Sequence, residues 1–149
     1  MLDKIKKLRE ETGSGVMDAK KVLEEAKGDL EKAKDLLLKK GFEKAEKKSG
    51  REAKAGVVEA YIHQNHRVGV MIELNCETDF VAKNEEFKKL AYEIAMQVAS
   101  MDPESVDELL EQKYIRDQEK TIEGLIAEQV TKLGENIQVG RFVRYELEK

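Results

Sequence analysis

Cys76 is the sole cysteine, and His63 and His66 the sole histidines, of the 149 residues, so side chains for covalent or metal chemistry are scarce. Cys76 continues the alternation of Val68, Val70, Ile72 and Leu74, the pattern of a small hydrophobe buried on one face of a strand rather than of a nucleophile. One cysteine excludes an internal disulfide and a cysteine zinc cage, and it suits a reducing, cytoplasmic setting. His63 and His66 flank Gln64-Asn65 without carboxylate companions, which reads as a solvated turn and not a metal site. Gly13 and Gly15 are not followed by the Lys-Ser/Thr of a phosphate-binding loop, so neither a bound nucleotide nor another cofactor is expected. No enzyme chemistry is supported.

What remains is Thr78-Asp79-Phe80-Val81-Ala82, between the end of one extended run and a helix that Asn84 would cap. Two readings stay open. Thr78 or Asp79 caps a short turn while Phe80 and Val81 fold into the core, or Phe80 stands at the tip of a corner and fills a partner's pocket, as aromatic anchors do at binding hot spots.

The elements that must position this segment follow from periodicity. Leu2, Ile5 and Leu8 mark a helical face that breaks at Thr12-Gly13-Ser14-Gly15, and Val16, Ala19, Val22, Leu23 and Ala26 resume the period up to Gly28. Asp29 caps a third helix with the stripe Leu30, Ala33 and Leu37, which Gly41 is expected to end. Residues 1–41 thus form a three-helix module, 42–55 a charged, solvated helical linker, and 56–149 a second unit. There the period switches to two. Val58, Ala60 and Ile62 alternate with Val57, Glu59 and Tyr61, and a hairpin returns through Val68 to Cys76. Phe87, Leu90, Ala91, Ile94, Ala95 and Val98 lie on one helical face. Asp102-Pro103 opens another helix, and Ile122, Ile126, Val130 and Leu133 form a third seam that stops at Gly134. A last strand places Ile137, Val139, Val143, Tyr145 and Leu147 on one side. The fold class is α+β, with a small antiparallel sheet covered by helices on one face.

Composition narrows the partner. The chain is 40% hydrophobic and 39% charged with 5% aromatic residues, a helix-rich globular composition without an apolar run long enough to span a membrane. Residues 1–55 hold 16 Lys/Arg against 12 Asp/Glu, and residues 56–149 hold 11 against 19. No concentrated basic stripe with aromatic readers accompanies the basic half, so a protein partner fits better than a nucleic acid.

Leu8-Arg9-Glu10-Glu11-Thr12-Gly13-Ser14-Gly15-Val16-Met17-Asp18-Ala19-Lys20-Lys21, with Gly28-Asp29 and Lys39-Lys40-Gly41, closely resembles the N-terminal signature of the elongation factor Ts family. Asn75-Cys76-Glu77-Thr78-Asp79-Phe80-Val81-Ala82-Lys83-Asn84 with Phe87 resembles that family's second signature, and Gly134-Glu135-Asn136-Ile137 with Arg141-Phe142 its third. The resemblance spans essentially the whole chain. It implies a ubiquitin-associated-like N-terminal module and a guanine-nucleotide exchange factor that acts on elongation factor Tu, in its GDP-bound and nucleotide-free forms. Asp79 and Phe80 would intrude near the partner's magnesium and phosphates, flanked by Thr78 and Val81. Thr12, Gly13, Gly15, Met17 and Lys20 would form the module's contact. Longer relatives would carry a second core subdomain and a coiled-coil insertion.

Two other functions compete: a peptide-binding adaptor using the Leu-rich first and third helices, and, more remotely, an enzyme acting at Cys76. A homodimer is also expected. The uncovered sheet face cannot be wholly polar, since Val57 and Tyr61 oppose Val58 and Ile62, and Met71 opposes Ile72.

Overall fold

The computed structural model describes residues 1–148. Three helices come first: α1 (Leu2–Thr12), α2 (Val16–Glu25) and α3 (Leu30–Lys48). Gly13 closes α1 in the left-handed region at φ 73°, donating its N–H to the Arg9 carbonyl. The Asp29 carboxylate accepts from the N–H groups of Glu31 and Lys32 and so opens α3. Ile5, Leu8, Ala19, Val22, Leu23, Ala26 and Ala33 form a small core, with Leu30, Leu36 and Leu37 packed against it.

Gly41 does not end the third helix, contrary to expectation, because α3 continues to Lys48. A glycine inside a helix costs only about 1 kcal/mol, and packing on the rest of the chain offsets it. Leu38 and Phe42 lie against Gly124, and Ala45 packs on the larger core. The first half of the 42–55 stretch is therefore a packed helix and not a solvated linker.

The second unit runs β1 (Ala55–Ile62), β2 (Val68–Cys76), α4 (Asp79–Ala82), α5 (Glu85–Met101), α6 (Val106–Glu111), β3 (Lys113–Tyr114), β4 (Asp117–Thr121), α7 (Ile122–Leu133) and β5 (Gln138–Glu146). β1, β2 and β5 form an antiparallel sheet with β2 in the middle. Val70, Ile72, Leu74 and Cys76 on one face of β2 are buried in a single core with Phe87, Leu90, Ala91, Ile94, Ala95 and Val98 of α5. The molecule is α+β, with its helices on one face of the sheet.

Two expectations are corrected within this unit. First, Ile137 and Val139 do not share a side with Val143, Tyr145 and Leu147. The register slips between Glu73 and Leu74, whose partners are Arg141 and Val139, leaving Gly140 as the extra residue of a β-bulge. Beyond the bulge the alternation inverts: Phe142 and Arg144 turn toward the helices, while Val143, Tyr145 and Leu147 are exposed. Second, Pro103 does not open a helix. Asp102 ends α5 in the left-handed region, and Ser105 caps α6, accepting from the Glu108 N–H at 3.1 Å; Ser105-x-x-Glu108 carries the sequence of a capping box. The short β3–β4 ladder is an addition that the periodicity does not signal. It is tied to α5 by the buried Gln97, which donates to the Lys113 carbonyl at 3.0 Å and accepts from the Ile115 N–H at 3.0 Å.

Cys76 is fully buried, and desolvation, with Glu135 nearby, pushes its thiol above the usual range. The expected result is that a thiol reagent at pH 8 leaves the native protein unmodified for hours and labels one thiol per chain promptly in denaturant. Prompt labelling of the native chain would contradict the buried position.

Candidate functional site

β2 ends at Cys76 and α4 begins at Asp79, so the chain must turn within two residues. Thr78 makes the turn by capping α4, its hydroxyl oxygen accepting from the Val81 N–H at 3.3 Å. The Cys76 thiol donates to the Thr78 carbonyl at 3.2 Å. Asn84 begins α5 immediately afterwards by accepting from the Glu86 and Phe87 N–H groups at 2.8 and 3.4 Å. Between the two caps there is room for one helical turn. Successive residues of a turn point about 100° apart, so when Val81 and Ala82 face the core, Phe80 cannot. Val81 and Ala82 are buried, and Phe80 is 88% exposed.

Each open reading thus holds for part of the segment. Thr78 caps and Val81 packs inward, while Phe80 stands outside. Val81, flanking Phe80 on its other side, is buried in the core and anchors the corner from below. Asp79 is exposed beside Phe80, and its carboxylate pairs with none of the described residues.

The corner is held from a second direction by Gly134-Glu135-Asn136. Glu135 Oε1 accepts from the N–H groups of Glu77 and Thr78, each at 3.1 Å, and its Oε2 accepts from the Thr78 hydroxyl at 2.7 Å. In return the Glu77 carboxylate accepts from the Asn136 N–H at 2.6 Å and lies 3.6 Å from the Arg51 guanidinium. Asn136 is buried, and its side-chain amide donates to the Arg51 carbonyl at 2.7 Å. Gln138 reaches the Ser49 carbonyl at 3.0 Å, and Lys48 reaches the Gly134 carbonyl at 3.1 Å. Gly134-Glu135-Asn136-Ile137 stands out in the sequence as a motif, but nothing in it gives Glu135 a task. The available signal was an acidic residue just past a glycine helix stop, which does not name its distant partner.

The module's candidate residues are arranged differently. The Thr12 hydroxyl donates to the Leu8 carbonyl at 2.7 Å and accepts from the Ser14 N–H at 3.3 Å, so it shapes the turn. Gly15 caps α2 from an extended conformation. Met17 and Lys20 are exposed, and Met17 shares the module's surface with exposed Met1, Leu2 and Val16. The structure brings Gly13 against the Lys132 side chain, and the Lys132 ammonium meets Glu86 in the first turn of α5 at 2.6 Å. One ion pair thus separates the module's turn from the segment that follows the corner.

No helix among the described residues is long and apolar enough to cross a membrane.

The family model described as Elongation factor TS matches residues 77–149. Elongation factor Ts of Thermotoga neapolitana is 46% identical over 189 aligned positions, covering 98% of this chain and 96% of the relative. That of Thermoanaerobacter sp. X514 is 43% identical, covering 95% and 92%. That of Aquifex aeolicus is 49% identical over 152 positions, covering 99% of this chain but 52% of the relative. The 189 positions exceed this chain's 149 residues, so the Thermotoga relative carries residues with no counterpart inside the chain. With this identity over nearly its whole length, and with the second and third signatures interlocked in space, the chain belongs to the elongation factor Ts family of translation elongation factors.

Proposed function

We propose that the chain is a guanine-nucleotide exchange factor that promotes GDP release from elongation factor Tu in the cytoplasm, with Asp79 and Phe80 entering beside the partner's magnesium and phosphates. The observation that carries this reading is an aromatic side chain 88% exposed on a corner fixed from two directions. What sets Phe80 apart is the rigidity of its support: an aromatic anchor already ordered on a fixed corner loses little freedom on docking. Magnesium tolerates little departure from octahedral geometry, so a small displacement of the loops that hold it and the phosphates weakens nucleotide binding. Factor and GDP then oppose one another through a single reciprocal coupling free energy. No covalent step is involved.

The module supplies a second contact in this reading. Met17 with Lys20, on the side marked by Thr12, Gly13 and Gly15, would lie on the GTPase domain and contribute affinity, while the unit from residue 56 onward carries the wedge. Fluorescent GDP dissociating from elongation factor Tu tests the function: stoichiometric chain should accelerate release, and excess GDP should dissolve the complex. Unchanged release with no complex formed would overturn it.

A second copy of the chain is proposed to cover the open sheet face. The register sets Ala60, Met71 and Val143 side by side, and beside them Ile62, Gly69 and Tyr145. Met71 is 52% and Tyr145 76% exposed. Two such faces packed about a two-fold axis would leave both corners free. Sedimentation equilibrium at micromolar concentration should give twice the 17.0 kDa chain mass, reverting to the single mass in Met71→Arg. A single mass for the unaltered chain would refute the dimer.

A further inference from the structure

We infer that Glu135 is the positioning residue of the Thr78-Asp79-Phe80 corner, setting how fast the docked corner works rather than how tightly the chain binds; this rests on the exchange reading above. Pairing of β2 with β5 begins at Asn75 and Gln138, so the N–H groups of Glu77 and Thr78 lie past the ladder with no strand to receive them. The Glu135 carboxylate takes both, together with the Thr78 hydroxyl. That hydroxyl is also the cap of α4. A four-residue helix is far too short to hold itself together. Its direction depends on what fixes its ends: the burial of Val81 and Ala82 below, and Glu135 through Thr78.

Phe80, being exposed, has almost no packing of its own to steer it, so its placement is inherited from this backbone. Glu135 is itself fixed. Gly134 before it turns in the left-handed region, and Asn136 after it is buried and tied through its side-chain amide to the Arg51 carbonyl. The Glu77 carboxylate closes the clasp on the Asn136 N–H. Without Glu135 the corner retains Phe80 but not its aim; in this reading the module still holds the chain on its partner, so the cost of ordering the corner falls on the step in which it enters and not on docking.

The test measures fluorescent GDP release from elongation factor Tu against factor concentration for the unaltered chain, Phe80→Ala, Glu135→Ala and Glu135→Gln, with amide hydrogen exchange on each free protein. Glu135→Ala should lower the maximal rate about tenfold, the consequence of stranding two donors and a cap, with the half-saturating concentration changed by no more than about twofold. Glu135→Gln should recover most of the rate, because its amide oxygen can still accept both N–H groups and its NH2 can donate to Thr78. In the free protein, Glu135→Ala should speed exchange of the Thr78 and Val81 amides while those of α5 keep their protection.

A full maximal rate in Glu135→Ala beside a slow Phe80→Ala would overturn the inference. So would a Gln variant as slow as the Ala variant, or a loss appearing only in the half-saturating concentration. If Phe80→Ala itself exchanges at full rate, it is the exchange reading of the corner that falls. The amide protection then judges the clasp alone, and unchanged protection at Thr78 and Val81 would overturn it.

Discussion

Phe80→Ala is expected to slow factor-promoted GDP release by about ten- to a hundredfold at saturating concentration while the melting temperature stays within about 2 °C of the unaltered chain. Burying one phenylalanine in a partner contributes about 1.5–3 kcal/mol, and each ~1.4 kcal/mol is tenfold. The truncation costs the free protein almost nothing, because the side chain is 88% exposed, and surface substitutions away from caps and ion pairs usually lie within about 0.5 kcal/mol of neutral. The effect is bounded above by the rest of the interface, which the module and Asp79 would still supply. Stopped-flow release and calorimetry on the same preparation decide it. An unaltered rate with a melting temperature lowered by several degrees would mean that Phe80 serves its own fold.

Gly56→Ala is expected to be the most damaging small substitution in the sheet, lowering stability by about 3 kcal/mol or more. Gly56 sits at φ 144°, a conformation that L side chains rarely adopt, and a Cβ there would lie 2.1 Å from the Leu74 carbonyl oxygen and 2.8 Å from the Asn75 Cα. Both neighbours are backbone of the central strand: Asn75 is opposite Gly56 in the β1–β2 ladder and Leu74 precedes it. Neither can swing aside, so β1 would have to separate from β2 at its first pairs. For a chain of this size that corresponds to a fall of about 6–12 °C in melting temperature. Gly140→Ala is the control. Its Cβ would meet Asn75 Oδ1 at 2.5 Å and Glu73 Oε2 at 2.7 Å, also inside contact distance, but these are the ends of side chains that can rotate away. Its cost should stay near 1 kcal/mol. Equal shifts for the two variants, read by scanning calorimetry, would show that the β1–β2 contact is looser than described.

Much of this architecture was legible residue by residue. Asp29 and Asn84 cap the helices they were expected to cap, and Gly13 and Gly134 stop theirs, because capping is a contact between a side chain or a bare Cα and a backbone group at most a few residues away. The hairpin around Gln64-Asn65 and the apolar face of α5 were equally plain, since an unbroken period of two or of 3.6 leaves one face to bury. The misreadings have a common origin. Periodicity says that Leu38, Phe42 and Ala45 are apolar but not that α7 is waiting for them, so Gly41 looked like an end. It says that β5 alternates but not that a bulge inverts the alternation opposite Glu73 and Leu74.

The candidate site divides along the same line. That Thr78-Asp79-Phe80-Val81-Ala82 follows a strand and precedes a capped helix is legible in the residues alone, and the resemblance to known motifs names the family. Whether Phe80 lies inside or outside could not be read from the sequence, because the answer depends on which side of a single turn the core occupies, and that is decided by α5 and the sheet together. Nor could Glu135 be read as the support of that turn. Its bonds to Glu77 and Thr78 span 58 and 57 positions of the chain, and a hydrogen bond at that separation leaves no period or spacing in either segment; it exists only once β5 has paired with β2 and carried the Gly134 turn to the corner.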